Sequence, residues 1–259
     1  MILSMLEAWA VWDNIVDSEN DTLLHVAASR GLVLIVEELI EGDVDVDAVD
    51  GQGLSALYYA IEEEHIAVMR RLLRAGAHVD AWGGDRAGHD YGPKRTRKSC
   101  ESLVHAVVRS GDLRLLNVLI EEGIDVDLEM RDTWGCTPLH IAAMLGDVKM
   151  MRALLDAGAD PNAVDDTGRF VLHYAAGAQG PHAIVVLLDE GVDINETESW
   201  GMGPTALEIA MGALQCGSVC VLKEAGAQMR DRTMTSKKLK ELCTCGASMS
   251  VIKYYRDEL

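Results

Sequence analysis

Residues 137–143, Thr137-Pro138-Leu139-His140-Ile141-Ala142-Ala143, recur as imperfect copies along a chain of 259 residues. With the histidine as anchor, the equivalent positions are His25, Tyr58, His105, His140, His173 and Glu208, spaced 33, 47, 35, 33 and 35 residues apart. The spacing of 47 is one period plus a 14-residue insertion. Each copy reads as the start of a helix. Pro138 suits a first helical turn, where its missing N–H costs nothing and its φ is already helical. Thr137 before it supplies the hydroxyl of an N-cap. Leu139, Ala142 and Ala143, like Leu172, Ala175 and Ala176 one copy later, form the one-sided apolar stripe of a short amphipathic helix. Gly146 ends that helix where a left-handed residue is required.

A second apolar helix follows in each copy. It finishes in pairs such as Leu39-Ile40, Leu72-Leu73, Leu119-Ile120, Leu154-Leu155 and Leu187-Leu188, and a glycine then stops it. In the first copy Gly42 falls one residue early, so Asp43 takes the left-handed place. Each unit is therefore two antiparallel helices and a projecting loop. None can bury its stripe alone, and stacked neighbours bury it for one another. A period of about 33 residues on a Thr-Pro-Leu-His-x-Ala core resembles the ankyrin repeat. The resemblance covers almost the whole chain and implies an all-α solenoid of helix-turn-helix units with β-turn or hairpin fingers. The expected organisation is a capping helix over residues 1–17, six repeats over 18–232 with an insertion at 82–100, and a degenerate capping repeat over 233–259.

Composition narrows the function classes. No stretch approaches a membrane span, and the N-terminus lacks the basic region and cleavage site of a signal peptide. The final Arg256-Asp257-Glu258-Leu259 resembles an endoplasmic-reticulum retrieval signal, which without an entry signal has no route to the lumen. Six cysteines in a chain this long do not suggest a disulfide scaffold; reduced thiols in cytosol or nucleus are expected. Net charge is −19, yet residues 82–100 and 228–259 are each net +3, so the rest carries −25. An acidic repeat edge repels nucleic acid and anionic membranes and favours basic partners. Another protein, with basic and apolar segments, is the expected partner; direct nucleic-acid and membrane contacts are not.

The candidate chemistry is thin. Asp43-Val44-Asp45-Val46-Asp47 opens like a calcium loop, but Ala48 and Leu54 stand where glycine and the bidentate glutamate are needed. Cys216, Cys220, Cys243 and Cys245 have spacings that fit zinc poorly and read as small buried residues. Four histidines at one motif position argue against catalysis, since a catalytic group is needed once. In the ankyrin family this histidine ties adjacent repeats by hydrogen bonds, the role the resemblance implies for His25, His105, His140 and His173. No P-loop, nucleophile elbow or metalloprotease helix is present. No enzyme activity, cofactor or metal is expected.

Function is expected where the copies differ. The insertion carries Lys94, Arg95, Arg97 and Lys98, a run that suits a nuclear-import signal, a grip on an acidic partner, or a solvated loop. The ankyrin resemblance places specificity on finger tips and the solvent side of each first helix. Those positions are Glu62, Glu63 and Arg109 in the second and third repeats. In the fourth they are Trp134, Cys136, Met144 and Leu145. The fifth and sixth offer Thr167, Gly177, Ala178 and Met202, with Trp200 nearby. The expected function is a non-enzymatic interaction module: an adaptor, scaffold or inhibitor. The alternative is a small-molecule or catalytic pocket using Glu62, Glu63, Arg109, His89 and Tyr91.

Overall fold

The computed structural model describes residues 22–79, 102–123, 126–229 and 251–257. The expected capping helix over 1–17, the insertion with Lys94, Arg95, Arg97 and Lys98, and most of 233–259 lie outside those residues. The chain divides into two compact units, Met1–Asp127 and Leu128–Leu259.

In the first unit three helix pairs follow one another: α1 (Leu23–Ser29) and α2 (Val33–Glu41), α3 (Ala56–Glu62) and α4 (Ile66–Arg74), α5 (Leu103–Ser110) and α6 (Leu113–Glu121). First helices pack on first helices, α1 on α3 and α3 on α5, while α2, α4 and α6 form a second layer. Ala27, Ala28, Ala56 and Ala60 are fully buried between the first helices, where a methyl group lets backbones approach. Leu57, Ile61, Leu72, Leu115 and Leu119 fill the space between the layers. Each contributes about 1.5–3 kcal/mol relative to an exposed side chain. Ion pairs cross the second layer. Arg71 meets Glu37 at 2.5 Å, and Glu122 is held by Arg70 at 2.5 Å and Arg74 at 3.0 Å. Hydrogen bonds from Arg74 and Arg70 keep the Glu122 carboxyl below its usual range.

The second unit repeats the plan with α7 (Pro138–Leu145) and α8 (Val148–Asp156), α9 (Val171–Gly177) and α10 (His182–Asp189), a helical turn α11 (Glu198–Gly201), and α12 (Ala206–Gly212) and α13 (Cys216–Glu224). Helices α7, α9 and α12 form one layer and α8, α10 and α13 the other. A last helix, α14 (Val251–Asp257), packs on both α10 and α13. An Arg256–Asp189 ion pair and a hydrogen bond from Ile252 N to Glu224 Oε2 (3.2 Å) anchor it.

The helix boundaries follow the local chemistry. Pro138 is the first residue of α7 and Thr137 its cap, with φ −83° and ψ 165°. Asp43 occupies the left-handed region at φ 62°, as the early Gly42 predicts. At the positions matching Gly146, the second and sixth copies hold Glu64 and Leu214, which adopt φ 56° and 57° without a glycine's freedom. The fingers close on single antiparallel bridges, Val49 with Ser55, Val164 with Phe170 and Thr197 with Thr205, and no strand longer than these occurs among the described residues. The sixth finger accommodates a longer spacing by inserting α11. Glu198 N donates to Pro204 O (3.1 Å), six residues on, where Asp165 N reaches Arg169 O (2.9 Å), four residues on.

Candidate functional site

Of the anchor histidines, His25, His140 and His173 are occupied by backbone, while His105 Nδ1 meets Ser102 Oγ at 2.7 Å. His140 is fully buried; its Nδ1 accepts from Thr137 N (3.1 Å) and its Nε2 donates to Arg169 O (3.2 Å) in the next finger. His25 repeats this with Thr22 N (3.1 Å) and Leu54 O (3.0 Å). His173 repeats it with Phe170 N (3.0 Å) and Glu196 O (3.2 Å). Burial pushes His140 and His173 below the usual histidine value, so both stay neutral, one nitrogen accepting and the other donating. In the sixth copy Glu208 supplies the local half, accepting from Thr205 N (2.9 Å), and Thr205 Oγ1 reaches Gln228 O (3.3 Å).

The second, fourth and fifth fingers are each built on an aspartate. Asp50 Oδ1 accepts from Gln52 N (2.7 Å) and Leu54 N (2.9 Å). Asp132 Oδ1 accepts from Trp134 N (2.8 Å) and Cys136 N (2.9 Å), and Asp165 Oδ1 from Thr167 N (2.8 Å) and Arg169 N (2.9 Å). At Asp50 and Asp165 the second oxygen reaches the following helix. Tyr59 OH donates to Asp50 Oδ2 at 2.6 Å and Tyr174 OH to Asp165 Oδ2 at 2.7 Å. Burial raises the Asp165 carboxyl, but the Arg169, Tyr174 and Thr167 donors outweigh it and hold it below its usual value. Finger and first helix therefore form one continuous surface.

On that surface of the second unit the large apolar side chains stand in water. Trp134, Met144 and Leu145 are 46, 47 and 51% exposed, and Met202 on the sixth finger is 83% exposed. Met144 and Leu145 lie one helical turn beyond Ile141, at the end of α7. The sixth finger is braced by the Arg169–Glu198 ion pair at 3.1 Å and the Gly203 N bond to Glu198 O (2.8 Å). In the first unit Glu62 and Glu63 at the end of α3 and Arg109 on α5 are exposed. Of Trp200 only the backbone, within α11, is described.

Two residues expected on this surface are buried instead. Cys136 is enclosed by its finger, with Sγ 3.2 Å from Tyr174 OH, and burial pushes its thiol up to about 11. Ala178 turns inward as α9 ends. Cys220 is disulfide-bonded, contrary to the reduced thiol expected, because linear spacing does not show which cysteines meet in space. For the alternative pocket, His89 and Tyr91 lie outside the described residues. Those residues hold no cluster of metal-ligating side chains, and none of their helices is long and apolar enough to cross a membrane.

Paired short helices, aspartate-based fingers and histidine ties define a helical repeat protein. A sequence profile of ankyrin repeats, three copies long, matches residues 3–81 and 103–198, and the chain belongs to the ankyrin-repeat family. It is 30% identical over 152 residues to the nuclear factor NF-kappa-B p105 subunit of Gallus gallus, covering 58% of this chain and 14% of that protein. With ankyrin repeat protein nuc-2 of Neurospora crassa it shares 31% over 179 residues, 68% of this chain and 15% of the relative. With neurogenic locus notch homolog protein 2 of Homo sapiens it shares 33% over 161 residues, 61% of this chain and 6% of the relative. The chain thus spans 15% or less of the length of these relatives.

Proposed function

We propose that this chain is a non-catalytic protein-binding module, working as an adaptor, scaffold or inhibitor through its finger and first-helix surface. The observation that carries the reading is the exposure of Trp134, Met144 and Leu145 within one repeat, with Met202 on a braced finger of the same unit. Exposed aromatic and methionine side chains brought together on one repeat are the chemistry of interface anchors. Glu62 and Glu63 on the first unit extend the preference to a partner that also carries basic residues. The non-catalytic part rests on the histidines: in three repeats both ring nitrogens are committed to backbone groups. Trp134→Ala and Met144→Glu abolish partner capture while leaving the far-ultraviolet spectrum unchanged; capture that survives both sinks the reading.

Residence in the cytoplasm or nucleus belongs to the same proposal. The basic run Lys94, Arg95, Arg97 and Lys98 and the relative named a nuclear factor support it. The Cys220 disulfide weighs against it. Transfer of residues 94–98 to a reporter, and thiol trapping of Cys220 in cells, decide between them.

A further inference from the structure

Asp132 departs from the other finger aspartates in one respect. Its Oδ1 makes the same two backbone bonds as Asp50 and Asp165, so the carboxylate is fixed in the same way. Its Oδ2 should then meet a tyrosine hydroxyl nine residues on, as Asp50 meets Tyr59 and Asp165 meets Tyr174. Ile141 occupies that place, and Asp132 Oδ2 is buried with no hydrogen-bond partner although the residue is only 7% exposed. A buried carboxylate oxygen without a donor is unfavourable by an amount comparable to a lost hydrogen bond or more. The orphan oxygen lies at the root of the apolar surface. Trp134 donates its own N–H to the same carboxylate, and Met144 and Leu145 follow Ile141 by one helical turn.

We infer that the fourth repeat is a subsite for an arginine side chain of the bound partner, flanked by apolar residues, with Asp132 Oδ2 receiving from the guanidinium the donor that tyrosine supplies in the other repeats. This rests on the protein-binding reading above and names the chemistry of its partner. Three observations select arginine. The unpartnered oxygen calls for a donor, and a hydrogen bond to a carboxylate is strongest from a cationic donor. Arginine is weakly hydrated and stacks on aromatic faces, and half-exposed Trp134 stands two residues from Asp132. The surroundings are acidic: residues 126–229 hold 15 acidic and 5 basic side chains, and Arg131 and Arg169 are already paired to Asp166 and Glu198. The oxygen lies beneath the surface, so the guanidinium reaches it only by displacing the groups that cover it.

The test is a random-peptide phage library panned against the full chain. Selected peptides are expected to carry an arginine beside an apolar residue, and to lose about tenfold or more in affinity when that arginine becomes alanine. Ile141→Tyr supplies the missing donor from within, so it weakens the arginine peptides similarly and raises the thermal midpoint. Asp132→Asn keeps the Oδ1 acceptor and places an amide donor where Oδ2 stands, giving the same loss; it carries the test if the tyrosine variant does not fold. Peptides that need Trp134 but lack arginine, or arginine peptides indifferent to both variants, overturn the subsite and leave the binding face standing. Peptides indifferent to Trp134→Ala, or no selected peptide at all, overturn both.

Discussion

Replacement of His140 by alanine probes the tie between the fourth and fifth repeats. The imidazole is fully buried and joins Thr137 N at 3.1 Å to Arg169 O at 3.2 Å, across 29 residues of chain. Its removal leaves one backbone donor and one acceptor without partners, at about 1–3 kcal/mol each. The ring also leaves a cavity against Tyr174, whose ring packs edge-on at 5.2 Å. The expected loss is about 3–5 kcal/mol, a large share of the stability of an ordinary domain. Urea unfolding followed by circular dichroism measures it, with the midpoint falling and the slope showing whether neighbouring repeats still unfold together. His140→Glu should lose less, because Glu208 shows that a glutamate at this position preserves the cap, accepting from Thr205 N at 2.9 Å. A loss below about 1 kcal/mol for the alanine variant would refute the strut role.

Burial holds His140 and His173 below the usual value of 6.5, so on acidification the unfolded chain takes up protons first. Their contribution is complete above about pH 6.5 and is lost as pH falls through the folded values, so the urea midpoint drops as pH is lowered below about 6.5; a flat profile contradicts this. Leu214→Gly relieves a leucine held at φ 57° and should stabilise by about 1 kcal/mol, read as a higher thermal midpoint; no change or a decrease contradicts the strain. Gly135 sits at φ 75°, where an added Cβ would lie 2.5 Å from Asp166 N, the group that donates to Trp134 O at 3.1 Å. Gly135→Ala should therefore destabilise by about 2 kcal/mol or more and loosen the fourth finger from the fifth, seen as faster amide exchange at Asp166; unchanged exchange contradicts it.

Much of this molecule is legible in the sequence because a repeat states the same physical problem several times. Thr137-Pro138 and the spacing of alanines fix helix starts and stripes, and even the displaced turn at Asp43 follows from where Gly42 falls. The candidate surface was legible only as positions. Trp134, Met144, Leu145 and Met202 prove exposed, whereas Cys136 turns inward because the finger's aspartate curls the chain and draws it under the backbone, and Ala178 turns inward where α9 ends. The Asp132–Ile141 mismatch was available to a reader who compared copies at nine residues past each finger aspartate. It was missed because an isoleucine on an amphipathic helix looks ordinary, and only the geometry shows which oxygen it leaves without a donor. The added turn Glu198–Gly201 is visible as a spacing of 35 rather than 33, but length alone does not say that the extra residues become helix.

Site-specific photocrosslinking tests the central claim most directly. A photoreactive amino acid is placed at Met144 or Met202 on the finger face, and at Arg152 on the exposed side of the second-helix layer. The account expects a discrete protein adduct from the first two positions and none from Arg152. Adducts of equal or greater yield from Arg152, with Met144 and Met202 silent, would contradict it.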